Sequence, residues 1–121
     1  MKKILVVDDS PSVRQQVGIA LTQAGYGVVE AVDGQDGLSK AGGGGISLVI
    51  SDVNMPRLNG IEMVEKMKAD AKLAPLPIVM LTSEGQPTII DRAKKAGAVG
   101  WIIKPFKANL LLAAVKKLVG D

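Results

Sequence analysis

A chain of 121 residues, 47% of them hydrophobic, has the size and apolar content of one ordinary domain. It contains no cysteine and no histidine, which excludes disulfides, thiol chemistry and the usual imidazole base or zinc ligand. Its net charge of +3, from scattered bases, argues against a nucleic-acid partner. No apolar run approaches the ~20 residues of a membrane span. Met1-Lys2-Lys3 leads into too short an apolar stretch for a signal peptide. The expectation is a cytoplasmic protein that inserts into no membrane.

Apolar runs of four or five residues alternate with segments of helical period. Residues 3–7 read as a buried strand. A helix over about 11–24 follows, with Ser10 as N-cap and Pro11 at its first position. Val13, Val17, Ala20, Leu21 and Ala24 form its apolar face, and Gly25 stops it. A short strand lies near 28–31. Asp33 caps a weak helix over 34–41. Gly42 to Gly45 are read as a loop belonging to neither neighbour. The third strand covers 47–51 and the third helix 58–70, with Ile61, Met63, Val64 and Met67 inward. Leu73 to Pro77 form a rigid connector. A strand at 78–81, a helix at 87–96, a strand at 99–103 and a helix at 107–119 complete the chain.

Strand and helix thus alternate five times. Near-continuous apolar strands joined by crossover helices predict an α/β fold, a doubly wound (βα)5 parallel sheet covered on both faces. The whole chain, 1–121, is read as one domain. In such sheets the functional crevice lies at the carboxyl ends of the strands, where the strand order reverses. For the assumed flavodoxin-like order 2-1-3-4-5, that point falls between the first and third strands.

Four strands end on polar residues of one chemical set. The first runs into Asp8-Asp9, the third into Asp52, the fourth into Thr82-Ser83 and the fifth into Lys104-Pro105. Taken singly, each has an ordinary reading as a cap, a turn starter or a solvated charge. Together they place three carboxylates, a hydroxyl and an amine along one edge. Clustered carboxylates repel and need a neutraliser. Lys104 is one. A hard cation is the other, and an all-oxygen ligand set suits Mg2+, with Mn2+ as the alternative. Asp52 at the centre could act as a nucleophile toward phosphorus, with Lys104 and Thr82 stabilising the phosphoryl oxygens.

The segments Val7-Asp8-Asp9-Ser10, Ser51-Asp52-Val53-Asn54-Met55-Pro56, Leu81-Thr82-Ser83 and Lys104-Pro105-Phe106 resemble the motifs of two-component response-regulator receiver domains, with closest likeness to the single-domain CheY type. Gly60 and the run from Ala96 to Trp101 match as well. The resemblance covers essentially the whole chain. It implies that Asp52 is the phosphoacceptor and that Asp9, Asp52 and the backbone carbonyl of Asn54 ligate Mg2+, with Asp8 acting through water. It also implies that Lys104 and Thr82 contact the phosphoryl group and that the Lys104–Pro105 bond is cis. Thr82 and the aromatic on the last strand form the family's switch. That aromatic is usually Tyr or Phe and here is Trp101, which leaves two readings open, a moving switch and a fixed core residue. Asn54 and Glu84 occupy the positions that tune dephosphorylation.

The implied partners are a sensor histidine kinase as donor and a downstream target protein. The implied state is a monomer, with dimerisation on activation as a variant. The implied output face comprises the fourth helix, fifth strand and fifth helix. Lys94, Lys95, Lys104, Lys107, Lys116 and Lys117 have two readings, a positive field on that face suited to an acidic peptide or a merely solvated lysine set. Leu112 has two readings, exposed there as part of a contact face or packed under a loop. The chain would be no enzyme beyond self-catalysed phosphorylation and dephosphorylation. Three other readings compete. A Mg2+-dependent phosphatase of the haloacid-dehalogenase type needs an Asp two residues after its nucleophile, where Asn54 stands. A flavodoxin-like cofactor binder needs a Ser/Thr/Gly-rich loop where Asp8-Asp9 stand. An excised receiver of a longer regulator is the third.

Overall fold

The computed structural model describes residues 2–55, 58–83 and 85–120. Five strands alternate with five helices: β1 (Lys3–Val7), α1 (Pro11–Gln23), β2 (Gly27–Ala31), α2 (Gly34–Gly42), β3 (Ile46–Ser51), α3 (Gly60–Ala69), β4 (Ile78–Thr82), α4 (Pro87–Ala96), β5 (Gly100–Ile103) and α5 (Ala108–Val119). All strand pairs are parallel, and the order across the sheet is β2-β1-β3-β4-β5. The assumed order is the observed one.

The strands alternate their side chains between two cores, as the period of two requires. Leu5, Val7, Val49, Ile78 and Met80 face α2, α3 and α4, where Met63, Val64, Met67 and Ala93 meet them. Ile4, Val6, Leu48, Ile50, Val79 and Leu81 face α1 and α5, where Val17, Leu21, Leu111 and Val115 meet them. Each large aliphatic side chain removed from water in this way contributes about 1.5–3 kcal/mol.

Caps set the helix starts. Ser10 accepts the Val13 N–H at 3.3 Å, and Asp33 accepts the Asp36 N–H at 2.8 Å. The third helix begins at Gly60, two residues later than expected, because Asn59 and Glu62 form a reciprocal capping box. Three further expectations are corrected. Ala24 is the exposed C-cap of α1 and not part of its buried face. Gly42 is the last residue of α2, and Gly43 is its helical C-cap, so the left-handed backbone begins only at Gly44 and Gly45. In α5 the buried stripe is Leu111, Val115 and Val119, which leaves Leu110 exposed and Leu112 half-buried against the core, so of its two readings the exposed one is corrected.

Two glycines fix the loop that follows β3. The Gly60 N–H donates to the Val53 carbonyl at 2.8 Å. A Cβ there would lie 2.0 Å from the Asp52 carbonyl oxygen. The Gly34 N–H donates to the Leu58 carbonyl at 3.1 Å, and a Cβ there would lie 2.2 Å from that oxygen. The starts of α2 and α3 therefore pin the loop from both sides, and only glycine allows the approach.

Candidate functional site

Asp8 is the residue after β1. Its N–H donates to the Ala31 carbonyl at 3.1 Å, which extends the β1–β2 ladder by one step. Asp52 is the residue after β3, and its N–H donates to the Val7 carbonyl at 3.0 Å. The two aspartates are thus neighbours at the point where the strand order reverses, because β1 lies between β2 and β3. Both are buried, and Asp9 is exposed. Carboxylate oxygens of Asp8, Asp9 and Asp52 lie within 4.8 Å of one another.

Lys104, the residue after β5, reaches across β4 to this cluster. Its Nζ donates to Asp8 Oδ2 at 2.8 Å and to Asp52 Oδ2 at 3.0 Å. The opposite oxygens are taken by backbone donors: Asp8 Oδ1 accepts the Ser10 N–H at 2.9 Å, and Asp52 Oδ1 accepts the Val53 N–H at 2.7 Å. Burial pushes the Asp8 carboxyl above its ordinary pKa, and Lys104 and the Ser10 N–H offset this only in part. Burial pushes the Lys104 amine down, but its two carboxylate partners outweigh burial and hold it above its usual range. The Lys104–Pro105 bond is cis, as expected. The expectation that Lys104 adds to a positive output face is corrected, because its charge is spent inside the acidic cluster. Lys94, Lys95, Lys107, Lys116 and Lys117 are exposed.

Thr82 closes β4 and is fully buried, with its carbonyl accepting the Lys104 N–H at 2.9 Å. Trp101 sits in β5 opposite Met80, half-buried and packed on the core under α2, α3 and α4. Asn54 lies two residues beyond Asp52 and is exposed. Glu84, expected to tune dephosphorylation, and Pro56 of the second motif lie outside the described residues. Arg14 was not singled out from the sequence. It follows Val13 on α1, and its Nη1 donates to the Asp8 carbonyl at 2.6 Å. Periodicity reads such a residue as the polar flank of an amphipathic helix.

An oxygen-only cluster of three carboxylates is a donor set for a hard divalent cation. The described carboxylates supply more negative charge than one ammonium cancels, which is the electrostatic condition for such binding.

Comparison with known proteins bears on the same residues. The response regulator receiver domain family matches residues 4–116. The chain is 35% identical over 120 residues to chemotaxis protein CheY1 of Helicobacter pylori, spanning 98% of this chain and 97% of the relative. It is 38% identical over 122 residues to a CheY homologue of Campylobacter jejuni, spanning 98% and 92%. The structure of chemotaxis protein CheY4 of Vibrio cholerae superposes with a TM-score of 0.92 at 42% identity, covering 98% of both chains. These matches favour neither the phosphatase nor the cofactor-binder reading. Among the described residues no helix is long and apolar enough to cross a membrane. With the match running from the first strand into the last helix, the chain belongs to the response regulator receiver domains, signalling phosphoacceptors rather than classical enzymes.

Proposed function

We propose that Asp52 accepts a phosphoryl group from a sensor histidine kinase and that the acyl phosphate so formed alters a target-binding face. The observation that carries this reading is the Lys104 ammonium joining the carboxylates of Asp8 and Asp52, with Asp9 alongside. Asp9 and Asp52, with the Asn54 carbonyl, are assigned as ligands of Mg2+, and Asp8 as a partner through water; Mn2+ suits the same oxygens. Bound there, the cation supplies neutralisation of charge that develops on the transferring phosphoryl group.

One Asp52 carboxylate oxygen attacks phosphorus. The P–O bond forms as the P–N bond to the donor imidazole breaks, and that imidazole leaves with the bond's electron pair and takes a proton. In accepting the group, Asp52 gives up its ion pair, so the ammonium of Lys104 is free to follow the new phosphoryl oxygens without leaving its place beside Asp8. The Thr82 hydroxyl donates to the same group and draws the end of β4 inward. An apolar groove of about 680 Å³ between α1 and the turn after β5 opens beside Lys104, lined by Val13, Ile19 and Phe106 among others. It is assigned as the seat of the donor domain.

The output face is α4, β5 and α5, and Thr82 with Trp101 links it to the site. An acidic target segment suits its lysines. Asn54 and Glu84 are assigned the tuning of hydrolysis of the acyl phosphate. The protein is read as a cytoplasmic monomer, with dimerisation confined to the activated form. The test is the response of Trp101 fluorescence to beryllofluoride and Mg2+. The wild type responds and Asp52→Asn, with its fold intact, does not. A full response in Asp52→Asn contradicts the assignment.

A further inference from the structure

Arg14 lies in the first turns of α1, next to the acidic cluster but outside its ion pairs. Its side chain is only 14% exposed and is held at two points. Nη1 donates to the Asp8 backbone carbonyl at 2.6 Å, and Nε donates to Glu30 Oε1 on β2 at 3.0 Å. A guanidinium carries its donors in one rigid plane, so two bonds to different elements fix its orientation. The carbonyl that it grips belongs to the peptide bond joining Asp8 to Asp9.

Asp8 has other restraints. Its N–H is bonded to the Ala31 carbonyl, its Oδ1 to the Ser10 N–H and its Oδ2 to Lys104. Asp9 differs, because no hydrogen bond or ion pair of its carboxylate is seen among the described residues. The peptide plane entering Asp9 is therefore what aims that carboxylate at the cluster, and Arg14 fixes that plane against β2.

We infer that Arg14 is a positioning residue for the divalent cation, acting through the Asp8 carbonyl to hold Asp9 in its ligating orientation. This rests on the cation reading proposed above. Electrostatics alone predicts the opposite sign. Arg14 is a cation close to a cation site, so its removal on charge grounds tightens Mg2+ binding. Loss of orientation weakens it, and removing groups that orient metal ligands typically lowers affinity 10–100-fold.

The experiment is calorimetric titration of Mg2+ into the wild type, Arg14→Ala and Arg14→Lys at fixed ionic strength, with thermal melts in EDTA alongside. The expected result is a Mg2+ affinity about tenfold or more weaker in Arg14→Ala. Arg14→Lys recovers part of the loss, since a single ammonium still reaches the carbonyl but lacks the planar fork. A merely structural role lowers the melting temperature in EDTA and leaves the affinity unmoved. Arg14→Ala binding Mg2+ as tightly as the wild type, or more tightly, overturns the inference. If Arg14→Ala does not fold, Arg14→Lys decides on the same criterion. A wild type that binds no Mg2+ defeats the cation reading itself, a result distinguishable from either.

Discussion

Replacing Asp9 by Asn separates the energetic cost of the acidic cluster from its use. Carboxylate oxygens of Asp8, Asp9 and Asp52 lie within 4.8 Å of each other, and Lys104 pairs with Asp8 and Asp52. Two unit charges at that distance repel by about 1 kcal/mol in bulk water and by about 3–4 kcal/mol at an effective dielectric near 20. Asp9 is exposed, so the lower figure applies to each of its two neighbours, and the Lys104 charge offsets part of the sum. Against this stands the favourable field of the α1 N-terminus on an acidic residue, worth about 0.3–1 kcal/mol. Repulsion wins, and Asp9→Asn is expected to gain about 1 kcal/mol when divalent cations are chelated. For a chain of 121 residues that is about 4 °C in melting temperature. The wild type recovers its deficit through binding, at about 1.4 kcal/mol for each tenfold rise in Mg2+ above its dissociation constant. The assay is a series of thermal melts from EDTA through rising Mg2+ at constant ionic strength. The two proteins should trade places, with Asp9→Asn ahead in EDTA and flat, and the wild type climbing past it. An Asp9→Asn protein that melts lower than the wild type in EDTA, or climbs with the same slope, refutes the reasoning.

Lys104→Met leaves the buried carboxylates of Asp8 and Asp52 without their ammonium, and should cost about 2–3 kcal/mol at pH 7 in EDTA by chemical denaturation. The Lys104 amine is held above its ordinary pKa in the fold, so its contribution is complete below pH ~10.4 and is lost as pH rises through the folded value. The stability gap between the wild type and Lys104→Met should therefore hold from neutrality to about pH 10 and close above it; a gap that stays fully open as pH rises beyond that range contradicts the assignment. Gly60→Ala forces a Cβ to within 2.0 Å of the Asp52 carbonyl oxygen, and should cost about 1–3 kcal/mol while slowing phosphorylation from acetyl phosphate. Wild-type stability and rate in that variant would show that the loop after β3 is not pinned there.

The central strands were legible because burial on both faces keeps the middle of β1, β3 and β4 apolar, with Lys3, Ser47, Ser51 and Thr82 only at or near their ends. The edges were less so. In β2 and β5 few residues are fully buried, and Val99, expected to start the last strand, precedes it and is 56% exposed. The phase of α5 was illegible for a different reason. Leu110, Leu111 and Leu112 are consecutive and equally apolar, so only the neighbours at Val115 and Val119 decide which one faces inward. The order of the strands is a long-range property that no local period carries. The kinds of residue in the site were readable from four strand ends. What was not readable is that Lys104 crosses β4 to join Asp8 and Asp52, or that Arg14 turns from a helix flank to grip a backbone carbonyl. Both depend on which strands are neighbours. The glycine run was misread because composition alone cannot say that Gly42 still completes a helical turn.

The most direct measurement is chemical mapping of the phosphoryl group after incubation with acetyl phosphate and Mg2+. Borohydride converts an aspartyl phosphate to homoserine, and peptide mass spectrometry then locates it. Conversion at Asp52 alone, dependent on Mg2+ and lost in EDTA, is the predicted result. A modification at Asp8, Asp9 or a hydroxyl residue in place of Asp52, or an equal yield without the cation, contradicts the account.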